Sequence, residues 1–331
     1  MSDILLTTVG QTFAIFHDGV QEFIETGLEA GTPYEMRGHS FRTLPDLGLR
    51  LANFGTVNDV HFGETVCGLI EGSDMGPVLS VAEGAQPYPE LMNEAVIGAM
   101  QATNLDVVLV KGDLTGHGTF EEFDRFYEVY SAAFGDRLHF IRGNHESFHQ
   151  PDLHPVSQIH IKLPGVELAM IDTSKPRAPN GTIKPDDLAW LDEIARNASA
   201  PVMVFGHHHI WRPRAVRDEN FFGIGPDASE ALLALFARHA SLVGYFAGHT
   251  HRNRVQWIDA KPFVEVASVK EFPGMWANYQ VFERGILQIN RRANTRAALD
   301  WSEKTRAMYN GAYFDYAFGT LGERCFEVFR Q

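Results

Sequence analysis

Histidine, aspartate and asparagine recur in this chain at one kind of place, the short loop that follows an apolar run. Asp59 and His61 follow Leu49 to Val57, Asp113 follows Leu105 to Val110, and Asn144 and His145 follow Leu138 to Arg142. His207 follows Val202 to Phe205, and His249 and His251 follow the run from Leu242 to Phe246. Apolar runs of this length read as buried strands, and open α/β sheets assemble their sites at the carboxyl ends of strands. One such loop is unremarkable. Five of the same character make chance a poor explanation.

The side chains form a mixed nitrogen and oxygen set: Asp59, His61, Asp113, Asn144, His207, His249 and His251. Such a set suits Mn, Fe or Zn, fits Mg less well and is poor for Ca. It is too large for one ion that keeps an open position. It matches two ions that share a carboxylate at a spacing of about 3.5–4 Å, the geometry of dinuclear hydrolases. In the run His207-His208-His209 the spacing alone leaves open which histidine coordinates, with His207 favoured. Gly248 is expected to ease the departure from β geometry that turns His249 and His251 toward one point.

The elements that must carry these loops can be read along the chain. Residues 1–46 alternate short β-like runs with turns and predict a small N-terminal β appendage. From Leu49 the pattern becomes strands, polar loops and amphipathic helices, an α/β domain over 47–295. Helices are expected from Pro89 to Thr103, after Thr119 with Glu122 completing a capping box, from Pro185, and from Ala231 to His239. The stripe Phe120, Phe123, Tyr127, Tyr130 and Phe134 reads as core packing. Val255 to Ile258, Phe263 to Ala267, Tyr279 to Phe282 and Ile286 to Ile289 read as antiparallel strands. Residues 296–331 read as a helix and an aromatic-rich tail packed back on the domain.

Composition bounds the partners. A net charge of −14 argues against an extended nucleic-acid surface, which needs concentrated Lys and Arg. No apolar run approaches the ~20 residues that cross a bilayer, and Met1-Ser2-Asp3-Ile4 lacks the basic and apolar start of a secretory signal, so a cytoplasmic location is expected. Cys67 and Cys325 read as two free thiols, which also excludes a thiolate metal site. A homo-oligomer is left open.

The ordered motifs D-x-H, G-D, G-N-H-E, G-H and G-H-T-H resemble those of the calcineurin-like metallophosphoesterase family from about Leu49 to Arg292. Asp172-Thr173, Leu188-Ala189-Trp190-Leu191 and Gly206-His207-His208 are similar to the branch that contains bacterial cyclic-nucleotide phosphodiesterases. The resemblance implies a four-layer αββα sandwich, two mixed β-sheets packed face to face with helices outside. It implies that Asp59, His61, Asp113 and His251 hold one ion, and that Asp113, Asn144, His207 and His249 hold the other, with Asp113 bridging. It further implies a metal-dependent phosphoesterase that cleaves a small phosphodiester, with a 3',5'-cyclic nucleotide as candidate, by attack of a metal-bridging hydroxide. Asn144 would help fix the ester, and His145 is expected to protonate the departing alkoxide.

Two positions depart from the family pattern. Gly116 stands where the second motif commonly has a second Asp, and His208-His209 follow His207 where that branch tends to have His-Pro. His117 reads as a solvated loop histidine. The segments Glu64 to Pro87, Ser147 to Gln158, Ser174 to Lys184 and Lys270 to Asn278 are candidate pocket walls. A phosphomonoesterase with the same ions is the nearest alternative, and a non-catalytic binding scaffold is the remote one.

Overall fold

The central apolar runs are buried at every position, and successive residues turn to opposite faces, which dictates the layers. In the computed structural model, which describes residues 4–69, 72–155, 158–213, 215–218 and 221–330, the chain opens with β1 (Leu5–Val9), β2 (Phe13–His17), β3 (Glu22–Thr26), β4 (Pro33–Met36) and β5 (His39–Arg42). Next come β6 (Arg50–Val57), the short pair β7 (Val66–Cys67) and β8 (Leu79–Ser80), α1 (Tyr88–Gln101), β9 (Val107–Lys111), α2 (Phe120–Phe134), β10 (Leu138–Ile141) and α3 (Asn144–His149). The middle of the chain forms β11 (Gln158–Leu163), β12 (Val166–Ile171), the hairpin β13 (Ser174–Lys175) and β14 (Ala178–Gly181), α4 (Pro185–Asn197), β15 (Val202–Phe205), α5 (Pro226–Arg238) and β16 (Leu242–Ala247). It ends with β17 (Arg254–Ile258), β18 (Lys261–Glu265), β19 (Met275–Phe282), β20 (Gly285–Arg292), α6 (Arg296–Thr305), α7 (Tyr313–Phe318), α8 (Leu321–Arg324) and β21 (Cys325–Arg330). Met1 to Asp3, on which the leader reading rested, and residues 70–71 and 156–157 of the candidate walls lie outside the described residues.

Two six-stranded mixed sheets form the centre, in the orders β10-β9-β6-β19-β20-β21 and β11-β12-β15-β16-β18-β17. Their facing sides bury Phe54, Leu109, Leu168, Met170, Phe205, Phe246 and Tyr279 in one core. The opposite faces use the alternate residues of the same strands. Val108 and Val110 pack outward under α1 and α2, whereas Ala169 and Ile171 pack outward under α4 and α5. The αββα sandwich thus follows from period-two patterning on strands that are apolar on both sides. Thr119 accepts from Glu122 N and the reciprocal contact completes the capping box that starts α2.

One reading needs correction. The last segment is more than a helix and a tail, because Cys325–Arg330 pairs antiparallel with β20 and closes one sheet. Its buried Cys325, Phe326 and Val328 are too few to announce a strand. The expected antiparallel strands divide between the two sheets: β17 pairs antiparallel with β18, which also runs parallel to β16, and β19 pairs antiparallel with β20 and β6. The N-terminal strands β1–β3 form a separate small sheet. It is tied to the main body by Thr8 Oγ1 donating to Asn290 O and Arg324 donating to Leu6 O and Thr7 O.

The contact between the sheets centres on aromatic rings. Phe54 stacks on Tyr279 at 4.9 Å and meets Phe205 of the other sheet edge-on at 6.1 Å. Truncating Phe54 to Ala leaves a void where both sheets meet, and urea unfolding is expected to show a loss of about 3–5 kcal/mol. A loss below about 1 kcal/mol contradicts this packing.

Candidate metal centre

The ends of β6, β9, β15 and β16 and the start of α3 bring all the expected ligands to one place, along one rim of the two sheets. Asp59, His61, Asp113 and His251 each present one ligand atom within 4.8 Å of the other three. His61 Nε2 is 3.5 Å from Asp113 Oδ2, and His251 Nε2 is 3.4 Å from Asp59 Oδ1. On the other side of Asp113, His207 Nε2 lies 3.3 Å from its Oδ2. Asn144 Oδ1 sits 3.1 Å from His207 Nε2 and 2.8 Å from His249 Nδ1. Asp113 therefore stands between both groups. His208 joins a second cluster with His207 and His249; its Nδ1 faces Thr173 Oγ1 at 2.9 Å, and its buried Nε2 has no hydrogen-bond partner among the described residues.

The backbone is bent to achieve this. Asp59, His61, Asp113, His249 and His251 all have positive φ, from 46° to 69°. Non-glycine residues seldom adopt this region, and each instance costs on the order of 1–3 kcal/mol. The role expected for Gly248 is corrected here: the turn is made by the histidines themselves, and Gly248 instead permits a close approach. A Cβ there would lie 2.7 Å from Asp59 Oδ2 and from Asn58 Cβ. Gly143 does the same beside Asp113, where a Cβ would stand 2.2 Å from Oδ1.

Outer contacts fix which nitrogen each imidazole turns inward. His207 Nδ1 donates to Lys111 O at 2.8 Å, His251 Nδ1 to Glu271 Oε1 at 2.6 Å, and His249 Nε2 to Phe222 O at 2.7 Å. His61 Nδ1 lies 2.9 Å from Glu64 Oε2. The inner nitrogen of each neutral ring is then a bare lone pair, aimed at carboxylate or amide oxygens that are also acceptors. An acceptor-only cluster is unfavourable by itself and is what cations require. The buried Nε2 of His61 has no hydrogen-bond partner among the described residues. The donor set fits two transition-metal cations.

Electrostatics agree. Burial opposes charge on His207, yet Asp113 and then Asp59 outweigh it and raise the imidazole to about 9. His251 is likewise raised to about 10 against its burial, by Asp59 and Glu271. Asp113 is pulled well below the usual carboxylate range despite burial, chiefly by His207 and His145. Burial, helped by His207, lowers His249 to about 3 and keeps it a neutral ring. The field of two buried carboxylates is strong enough to attract positive charge into a dry site.

Two neighbours of the ligands complete the framework. His145 donates from Nδ1 to Gly116 O at 2.7 Å, which presents Nε2 to the cleft 3.9 Å from Asp113 Oδ2. Glu146 is fully buried and accepts from Gly143 N, Thr115 N and Thr115 Oγ1, fastening the Asp113 loop to α3. Arg142 is held by Asp172, Pro151 O and Leu153 O, and Arg252 by Glu265. His117 is exposed and meets Glu122.

The centre opens into a cleft of about 400 Å³. Of the expected walls, Glu64, Lys270 and Glu271 line it, whereas the described residues of Ser147 to Gln158 and of Ser174 to Lys184 do not. The second of these packs on α3 instead, with Ser147 Oγ donating to Lys175 O and Arg177 N to Ser147 O. Sequence reading missed Phe222, Tyr309, Tyr313 and Tyr316, which also line the cleft. The cluster of tyrosines in the C-terminal tail was the available signal. Lys270 binds both oxygens of Glu64 at 2.8 and 2.6 Å and lies 3.9 Å from Glu271. It thereby joins the carboxylates behind His61 and His251. Tyr88 donates to Glu64 and Tyr313 to Glu271.

A family model described as calcineurin-like phosphoesterase matches residues 52–253. A probable cyclic nucleotide phosphodiesterase of Synechococcus sp. is 25% identical over 174 residues, covering 49% of this chain and 64% of its own length. The 3',5'-cyclic adenosine monophosphate phosphodiesterase of Pseudomonas aeruginosa is 25% identical over 162 residues, covering 46% of this chain and 57% of its own. This chain thus spans less than two thirds of the length of either relative. Among solved structures, a dimetal phosphatase from Danio rerio shares the fold with a TM-score of 0.54 at 15% identity, covering 74% of this chain and 97% of that one. The matched span runs from within β6 to just past His251 and takes in every residue of the acceptor cluster, and on that footing the chain belongs to the calcineurin-like phosphoesterase family.

Proposed function

We propose that this protein hydrolyses a small phosphodiester at a centre of two transition-metal cations, Mn, Fe or Zn, with a 3',5'-cyclic nucleotide as the candidate substrate. The observation that carries the reading is the convergence of bare imidazole nitrogens on Asp59, Asp113 and Asn144. Asp59, His61, Asp113 and His251 would hold one cation, and Asp113, Asn144, His207 and His249 the other. His207 is preferred to His208 because its Nε2 is the one within 3.3 Å of Asp113. Bound there, the cations supply Lewis acidity that activates water near neutral pH and offsets the charge of the phosphoryl group.

The side chains do the rest. Asn144 orients the ester beside Asp113, and His145 meets the departing oxygen through Nε2, with its ring aligned by Gly116 O. Among the described residues that line the cleft, the only Lys or Arg is Lys270, and it is engaged by Glu64. A phosphodiester monoanion suits such a wall better than a phosphomonoester dianion, which favours the diesterase over the monoesterase. The names of the two curated relatives support the same choice. No helix among the described residues is long and apolar enough to cross a membrane. Two buried free cysteines, Cys67 and Cys325, are in keeping with a cytoplasmic enzyme that takes a small substrate.

The first expected outcome concerns His145→Ala. The variant keeps both metals by elemental analysis and loses about 10²–10⁴-fold in turnover, and near-normal turnover would refute the role. Asp113→Ala, by contrast, should lose bound metal and all activity on a phosphodiester, a phosphomonoester and a cyclic nucleotide alike; retained activity on any of the three counts against a shared centre. A third outcome follows from proton linkage. The cation-free protein holds protons on His207 up to about pH 9 and on His251 up to about pH 10, and a metal must displace them. Metal affinity therefore rises with pH through neutrality, and loading at pH 7 releases protons. Titration calorimetry in buffers of different ionisation enthalpy reads this release, and its absence contradicts the raised values of His207 and His251.

A further inference from the structure

The cleft has a second chemical character besides its acceptors, which is aromatic. Tyr316 on α7 is 45% exposed, although its hydroxyl is committed to Thr250 O at 2.8 Å, between the two histidines of the last motif. The anchor fixes the ring beside His249 and His251, Arg252 Cζ lies 5.3 Å from the ring centroid, and the exposed remainder of the ring is the surface on offer. Tyr313 stacks on Tyr316 at 6.0 Å and 26°, and Tyr309 meets Tyr313 at 85°. Tyr313 is itself buried and bound to Glu271. Phe222, 53% exposed, comes from a different part of the chain and lies over the His249 ring at 4.1 Å.

Exposed aromatic faces that hydrogen bonds and ring stacking hold rigid inside a cleft are costly unless something covers them. Core packing explains Tyr313 but not the exposure that Tyr316 and Phe222 keep beside their ring contacts. Given the phosphodiesterase reading above, on which this step rests, we propose that Tyr309, Tyr316 and Phe222 form a subsite for a planar aromatic ring carried on the organic arm of the ester. Ring stacking tolerates any base because every base has a π-face. The subsite therefore selects ring-bearing diesters over aliphatic ones and discriminates little among bases. A volume of about 400 Å³ falls in the range of small-ligand sites.

The test uses the metal-loaded full chain with two diesters, 3',5'-cyclic AMP and the ring-free glycerophosphoethanolamine, and with adenosine as an uncharged ring probe. Adenosine is expected to bind by calorimetry and to inhibit hydrolysis of the ring-free diester competitively. Tyr316→Leu is expected to shift the ratio of KM values, ring-bearing over ring-free, about tenfold upward and to weaken adenosine binding by a similar factor. Tyr316→Phe keeps the ring and should retain most of both. Tyr309→Leu provides a second variant should Tyr316→Leu fail to fold, as judged by its thermal melt. Equal KM changes on both diesters, or no adenosine binding to the wild type, overturn the subsite. A wild type that carries two metals yet cleaves neither diester sinks the underlying phosphodiesterase reading, and adenosine calorimetry still reports on the ring subsite in that case.

Discussion

Crowding electron-pair acceptors into a buried space is the constraint to which the rest of this molecule answers. Asp59 and Asp113 are almost wholly removed from water, and four imidazoles turn bare nitrogens toward them or toward Asn144. Left alone, such a set repels itself and forfeits hydration. Protons relieve part of the repulsion, as the raised values of His207 and His251 record. Cations relieve more of it.

The architecture supplies the force that keeps the acceptors together. Two stacked sheets with shared aromatic packing give the loops rigid bases, and cross-links hold the loops to one another. Lys111 reaches from the end of β9 to Ala247 O at the end of β16. Val60 N and His61 N both donate to Asp113 O. Glu146 joins the Asp113 loop to α3. These contacts offset the left-handed backbone at five of the candidate ligands and explain why that strain persists. The pairing of Glu64 and Glu271 through Lys270 extends the framework one layer outward and carries it to the tyrosines of the C-terminal segment.

Sequence patterning revealed the strand-end motifs because each motif is local: an apolar run, then ligands, with a glycine directly before them in four of the five. The same locality made α2 legible from Thr119 and Glu122. What patterning missed depends on long-range pairing. Nothing near Cys325 indicates that it will lie against β20, and no local feature sends β18 and β19 to different sheets. Tyr316 reaches Thr250 across 66 residues, so its part in the cleft was visible only as an aromatic-rich tail. Gly248 shows a subtler limit. A glycine beside a turn suggests conformational freedom, but here its lack of a side chain matters more than its torsion angles, and only the proximity of Asn58 and Asp59 reveals this.

Anomalous diffraction from crystals of the metal-loaded protein tests the central claim most directly. The acceptor geometry predicts two peaks about 3.5–4 Å apart, one on each side of the Asp113 carboxylate, the first beside His61 and His251 and the second beside His207 and His249. A single peak, a pair elsewhere on the molecule, or no peak at saturating metal would contradict it.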